Sequence, residues 1–179
     1  FLNKFAKLKR KNCNAKILAI TGSAGKTSLK NMLGILLKRY GNTYASPKSF
    51  NNHYGVPVSL SNLNLNHKFG VFEIGMSKAG EINELSKIVK PNLAVITNVA
   101  EAHIENFKSV RGIAKAKGEI INNIDKNGTI VLNRDDRFFN YLNEKAKKKK
   151  IKIITFGMIK KSDIYLIKIT KKKKIKKVT

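Results

Sequence analysis

Residues 17–28 read Ile-Leu-Ala-Ile-Thr-Gly-Ser-Ala-Gly-Lys-Thr-Ser, an apolar run that breaks into a glycine-bracketed turn ending in Gly25-Lys26-Thr27. Glycines let backbone N–H groups converge on an anion without interference from Cβ atoms. A helix starting at Lys26 adds its positive N-terminal end to that cradle. The Lys26 ammonium then reaches outer phosphates, and the Thr27 hydroxyl is placed to hold magnesium. One position departs from the usual pattern: where a glycine stands five residues before the second one, this chain has Ile20, so the loop is a variant opened by Thr21-Gly22. An ordinary strand-to-helix turn is the bland alternative, and the apolar run before the loop and the helical run after it argue against it.

Outward from this stretch, short apolar runs alternate with segments of helical period, the pattern of a mostly parallel sheet flanked by helices. Strands are expected at Lys16–Thr21, Phe69–Ile74, Leu93–Thr97, Thr129–Leu132 and Ile151–Phe156, with a weaker one within Asp163–Thr170. Helices are expected at Lys26–Tyr40, Gly80–Val89, Val110–Ile124 and Phe138–Lys148, with Ser109 capping the third and Pro91 ending the second. Ligands of such sheets gather beyond the carboxyl ends of the strands. The residues there are the phosphate loop, Glu73, Asn98 and His103, then Asn133, Asp135 and Asp136, and one crevice is expected to hold them all.

The 179 residues, 42% apolar with 12 Gly and 3 Pro, suit one globular domain. No run approaches the ~20 apolar residues of a bilayer span, and the first residues lack the apolar centre of a signal peptide. The single Cys13 has no partner for an internal disulfide. A cytoplasmic monomer without a membrane partner is expected. The net charge of +26 would suggest nucleic acid if it were evenly spread, but it is not. Residues 145–179 hold 15 Lys against the one acid Asp163, whereas residues 17–144 hold 16 basic and 10 acidic side chains. Runs such as Lys147–Lys150 and Lys171–Lys174 carry no interleaved aromatics for stacking bases, so they read as solvated surface.

Five further positions have two readings each, Asn51 and Asn52 sharing theirs. Glu73, at the end of Val-Phe-Glu-Ile-Gly, is either a magnesium ligand at a strand tip or a solvent-facing acid on an edge strand. His103 is either a ligand through a neutral ring nitrogen or a loop histidine bonded to backbone. Lys117 shares the apolar stripe of Ile113, Ile120, Ile121 and Ile124, and helix geometry alone favours a lysine snorkelling at the stripe's edge. A desolvated Lys117 would instead have a lowered pKa, and its neutral amine could capture carbon dioxide as a metal-binding carbamate. Asn51 and Asn52 lie in a loop with Gly55 and Pro57; their amides either hold phosphate or carboxylate oxygens or are ordinary turn residues.

Five segments together resemble the central ATP-binding domain of the Mur ligase family, the amide-forming synthetases that build the peptidoglycan stem peptide. They are Thr-Gly-Ser-Ala-Gly-Lys-Thr-Ser (21–28), Ser-Phe-Asn-Asn-His-Tyr-Gly-Val-Pro (49–57), Glu-Ile-Gly-Met-Ser-Lys-Ala-Gly-Glu-Ile (73–82), the run from Thr97 through Ala-His-Ile-Glu to Ala-Lys-Gly-Glu-Ile (116–120), and Val-Leu-Asn-Arg-Asp-Asp (131–136). The resemblance extends over about residues 15–158, and the lysine-rich residues 159–179 depart from it. It implies a P-loop NTPase-like fold in which Thr21, Gly22, Ser23, Ala24, Gly25, Lys26, Thr27 and Ser28 surround the ATP phosphates. Asn133 would meet the adenine, with Asn98 in the adjoining loop. Thr27 and Glu73 would bind Mg2+, and His103 with a carbamylated Lys117 would hold a second ion. Lys26, Lys117 and His103 would be catalytic, and Asn51 and Asn52 would line the γ-phosphate and acceptor side.

The branch implied is the one that joins D-alanyl-D-alanine to a UDP-N-acetylmuramoyl tripeptide through an acyl phosphate. The family's N-terminal uridine-nucleotide domain and C-terminal domain have no counterpart in these residues, so an incomplete enzyme, inactive alone, is expected. Another Mur ligase or a folylpolyglutamate synthase is the alternative within this chemistry. Outside it stands a basic NTPase stimulated by nucleic acid.

Overall fold

The computed structural model of the protein describes residues 1–101, 104–172 and 175–178. Along the chain run α1 (Leu2–Asn12), β1 (Lys16–Thr21), α2 (Lys26–Leu37), β2 (Thr43–Ala45), α3 (Gly55–Ser61), β3 (Phe69–Glu73), α4 (Glu81–Val89) and β4 (Leu93–Ile96). There follow α5 (Val110–Lys117), β5 (Thr129–Asn133), α6 (Phe139–Lys148), β6 (Lys152–Gly157), β7 (Ile164–Tyr165), β8 (Ile169–Lys172) and β9 (Ile175–Val178). Seven strands form one sheet in the order β2-β3-β1-β4-β5-β6-β7, and every pairing in it is parallel. Strands β8 and β9 pair antiparallel in a sheet of their own.

The central strands read as unbroken apolar runs because both of their faces are covered. Ile17, Ala19, Phe72, Ala94, Ile96, Ile130 and Leu132 face a large core closed by side chains of α1, α3, α4, α5 and α6. Ile20, Val71 and Val95 face the other way, under Leu29, Leu33 and Leu37 of α2. From β1 the chain passes to β2 at one edge, returns through β3, and then crosses to β4 on the other side of β1. The chain leaves β1 for α2 on one face of the sheet and leaves β3 for α4 on the other, so a crevice opens beyond the carboxyl ends of these neighbouring strands, the place where open parallel sheets bind ligands.

The expected parallel architecture is present, and each strong strand begins within one residue of its expected start. Four local differences have physical causes. Helix α2 stops at Leu37, and Arg39 and Tyr40 bond back to Leu36 and Leu37 in three-residue turns before Gly41 at φ +154°. The helix expected to reach Ile124 is α-helical only to Lys117 and continues as a 3-10 turn over Gly118–Asn123. Gly118 permits close approach of α6 there, since a Cβ would lie 3.1 Å from Leu142 Cδ2. The weak strand divides into β7 and the start of β8. Gly55 and Pro57, expected in a loop, open α3; proline is tolerated in a first turn, where its missing N–H has no partner to lose.

Sequence periodicity did not reveal α1, β2 or α3 as elements. Helix α1 has only Ala6 fully buried and is tied down by Arg10, which donates to the carbonyls of Val89 (2.8 Å) and Lys90 (2.9 Å) at the end of α4. Ser109 caps α5 as expected, its Oγ accepting from Gly112 N at 3.2 Å. Lys147–Lys150 are exposed. Among the described residues no helix is long and apolar enough to cross a membrane.

Phe72 is 0% exposed and stacks at a tilt on Tyr44, ring centroids 5.8 Å apart. Phe72→Ala is expected to cost about 3–5 kcal/mol through lost burial and the cavity left behind, read as a lower urea midpoint.

Candidate functional site

The turn after β1 is held in shape from outside. Gly22 sits at φ +150°, and a Cβ there would lie 1.8 Å from Thr97 Oγ1, so a side chain meets both backbone strain and collision. Gly25, at φ +79°, caps α2 with open space around it; there the backbone angle rather than space demands glycine. Asn98, just past β4, braces the turn: its carbonyl accepts from Ser23 N (3.0 Å) and its Oδ1 from Ala24 N (2.9 Å). Ser23 Oγ donates to Ala100 O and accepts from Ala100 N, both at 2.9 Å. Thr97 Oγ1 donates to Ala24 O at 2.6 Å. The turn's first amides are thus spent on the neighbouring loop. The first N–H groups of α2, which have no side-chain cap, remain as the anion-facing end. Lys26 Nζ lies over the turn, donating to Gly22 O at 3.0 Å.

Glu73 ends β3 on the side facing α2, between β1 and β2, and is 1% exposed. The alternative of a solvent-facing acid on an edge strand is therefore wrong. Thr27 Oγ1 donates to Glu73 Oε2 and Asn51 Nδ2 to Glu73 Oε1, each at 2.7 Å. Asn51 reaches that position because Gly75 gives it room: a Cβ on Gly75 would lie 2.9 Å from the Asn51 amide, and Gly75 N donates to Asn51 O at 2.7 Å. Asn52 does different work, its Oδ1 accepting from Tyr54 N (3.1 Å) and Gly55 N (2.8 Å) at the start of α3.

A cleft of about 590 Å³ opens here, lined by Gly22, Ser23, Lys26, Asn51, Asn52 and Lys117, with His53, the 75–78 loop, Glu81 and Leu85 completing the wall. Lys117 is 3% exposed, so it is buried rather than snorkelling at the edge of its stripe. Burial, and then the positive charge of Lys26, push its pKa down from 10.5 to about 8. Carboxylates order the far wall. Glu81 Oε2 accepts from Ser77 N (2.6 Å) and Lys78 N (3.2 Å), while Glu119 accepts from Gly80 N (2.8 Å) and Asn83 N (3.0 Å) at the start of α4. The roles of Gly75, Glu81 and Glu119 were not read from sequence. The glycine of Glu-Ile-Gly and the acid opening α4 were the available signals.

The expected crevice therefore brings together Gly22, Ser23, Lys26, Asn51, Asn52 and Lys117, with Glu73 and Thr27 hydrogen-bonded behind Asn51, but it does not hold every residue beyond a strand end. Asp135 and Asp136 are loop fasteners: Asp136 accepts from Val99 N (2.6 Å) and Phe138 N (2.8 Å), and Asp135 from Met158 N. Asn133 donates to Thr97 O at 3.3 Å and accepts from Asp135 N at 3.0 Å, beside the turn rather than in the cleft. Thr21 is fully buried with its hydroxyl unpartnered, and Ser28 stands in the first turn of α2. His103 lies outside the described residues.

Fold and site together define a parallel α/β domain whose first strand ends in a glycine-bracketed turn at a helix N-terminus. The chain belongs to the Mur ligase family: the Mur ligase middle domain matches residues 20–179. It is 42% identical over 171 residues to the UDP-N-acetylmuramoyl-tripeptide--D-alanyl-D-alanine ligase of Buchnera aphidicola subsp. Baizongia pistaciae, covering 94% of this chain and 36% of that one. Two solved structures superpose closely. One is MurF from Acinetobacter baumannii (TM-score 0.88, 35% identity, covering 94% of this chain and 37% of that one). The other is MurF ligase from Thermotoga maritima in complex with ADP (TM-score 0.89, 30% identity, covering 99% and 40%). The chain spans between 28% and 37% of the length of curated relatives bearing the name of the Buchnera ligase.

Gly22→Ala is expected to dislodge Thr97 and loosen the turn, seen as faster amide exchange over residues 22–26 and a lower melting temperature. For Lys117, the folded pKa lies below the unfolded one, so stability rises with pH between about 8 and 10.5. Lys117→Met is accordingly expected to be the more stable protein at pH 7, by on the order of 1–3 kcal/mol. That gap closes as pH approaches the ordinary lysine range, measured by denaturant titration at each pH.

Proposed function

We propose that these residues form the ATP-binding portion of an amide-forming ligase that joins D-alanyl-D-alanine to a UDP-N-acetylmuramoyl tripeptide. The observation that carries the reading is the convergence of Thr27, Glu73 and Asn51 beside the uncapped start of α2. A nearly buried carboxylate and a hydroxyl, 2.7 Å apart, are hard oxygen donors of the kind magnesium takes alongside nucleotide phosphates. The α2 terminus and Lys26 offer positive charge to the phosphates themselves. The 36–42% identity to ligases bearing that name, and the ADP in the Thermotoga maritima relative, support the substrate assignment.

In this reading the loop from Thr21 to Ser28 surrounds the triphosphate, and Lys26 exchanges the Gly22 carbonyl for phosphate oxygens. Thr27 and Glu73 hold Mg2+, which when bound offsets charge on the phosphates. Asn133, with Asn98, borders the base, and Asn51 and Asn52 border the γ-phosphate and acceptor. The γ-phosphoryl group passes to the tripeptide's carboxylate, giving an acyl phosphate. The amine of D-alanyl-D-alanine then attacks that carbonyl and phosphate leaves. Lys117, as a neutral amine, adds to CO2 with release of one proton, and the resulting carbamate serves with His103 toward a second ion. The whole enzyme works in the cytoplasm as a monomer. Uridine-nucleotide and amine binding fall to domains outside these residues.

Titration with ATP is expected to show binding that Mg2+ strengthens, with no amide product from these 179 residues alone. Glu73→Gln should cut the Mg2+-dependent gain about tenfold or more, since hydrogen bonds and contacts to charged groups contribute roughly 1.5–3 kcal/mol. Wild-type protein that binds no ATP, or whose ATP turnover rises with single-stranded nucleic acid, would sink the reading.

A further inference from the structure

Lys30 takes no part in the reaction as written, yet it is the most deeply buried cation among the described residues, at 1% exposure. It lies one turn beyond Lys26 on α2, and Gly34, a turn further, is the other buried residue of that helix. A Cβ on Gly34 would stand 3.0 Å from Ala45 Cβ, so α2 is pressed against the β2 edge and Lys30 has nowhere to swing. An ammonium so placed is costly unless it is partnered. Its partner is the Lys48 carbonyl, which accepts a hydrogen bond from Lys30 Nζ.

Lys48 belongs to the connection between β2 and α3 and sits at φ +43°, a region that non-glycine residues seldom enter without outside support. The same connection wraps Glu73. Ser46 N donates to Val71 O at 2.9 Å, Ser46 Oγ accepts from Glu73 N at 3.4 Å, and Asn51 reaches Glu73 Oε1. Burial lowers the Lys30 pKa while the Glu73 charge raises it, which places the two groups within electrostatic reach.

We propose that Lys30 is a positioning residue for Glu73. Its bond to the Lys48 carbonyl pins the 46–52 connection, and its charge offsets the buried carboxylate. Asn51 thereby keeps Glu73 in the orientation in which its carboxylate would meet nucleotide-bound magnesium. The metal part of this assignment rests on the ATP reading; the pinning does not.

Hydrogen exchange without nucleotide tests the pinning, and ADP titration with and without Mg2+ tests its consequence. In the wild type, the amides of Phe50 and Asn51, which donate to Pro47 O (3.1 Å) and Ser49 O (2.7 Å), are expected to be protected. In Lys30→Met they should exchange about tenfold faster or more, from loss of a charged hydrogen bond. Lys30→Gln, which keeps a donor for the carbonyl, should restore part of the protection. ADP affinity without Mg2+ should change less than about twofold in Lys30→Met, while the gain on adding Mg2+ falls about tenfold. A role confined to general stability would not split the two affinities. Should Lys30→Met fail to fold, the wild-type exchange and the Gln variant still decide. Unprotected amides at Phe50 and Asn51 in the wild type, or unchanged protection in the variants, overturn the proposal. A wild type that binds no ADP overturns the ATP reading and leaves the exchange data to judge Lys30.

Discussion

A carboxylate at the tip of an interior strand must be given partners or it will not stay ionised and buried. Glu73 receives them from two segments distant in the chain: a hydroxyl from the first turn of α2 and an amide from the connection between β2 and α3. Satisfying that one group brings the start of α2, the end of β3 and the 46–52 connection together. The remainder of the cleft is arranged around that junction. Gly75 has no side chain because Asn51 occupies the space one would fill, and Ser46 reaches back to the Glu73 amide.

The charge pattern in the cleft follows from what is left uncompensated. Lys26 and Lys117 line one cavity and repel, and burial adds to the cost of charge on Lys117. Either a polyanion between them or loss of the Lys117 proton relieves the repulsion. A phosphate-bearing substrate supplies the first and a carbamate the second, so the electrostatics of the described residues suit the chemistry proposed for the family branch. The carboxylates nearby have another task. Glu81 in the cleft wall, and Glu119 and Asp136 outside it, accept from backbone amides, which orders the loops that carry them.

Much of this was legible along the chain. The run Ile17–Ser28 is contiguous, and its apolar strand, glycines and Gly-Lys-Thr ending imply a strand, an anion cradle and a helix in order. The buried parallel strands read clearly because both faces exclude water and nearly every interior residue in them is apolar. Helix α1 was silent because one anchoring arginine and one buried alanine leave no periodic stripe. Strand β2 has three residues, too few for any period. Asp135 and Asp136 misled because a carboxylate beyond a strand end serves a ligand or a backbone amide equally well, and only spatial neighbours distinguish the two.

By itself, then, the sequence determined the layered α/β architecture, the glycine-bracketed turn between β1 and α2 and the resemblance that names the family, since these depend on residues adjacent in the chain or on order of motifs. Tertiary structure alone decided that Glu73 is interior, that Lys117 is buried, and that Lys30 faces the Lys48 carbonyl. The protonation and partners of those groups depend on dielectric and on atoms tens of residues away, and neither is encoded in local pattern.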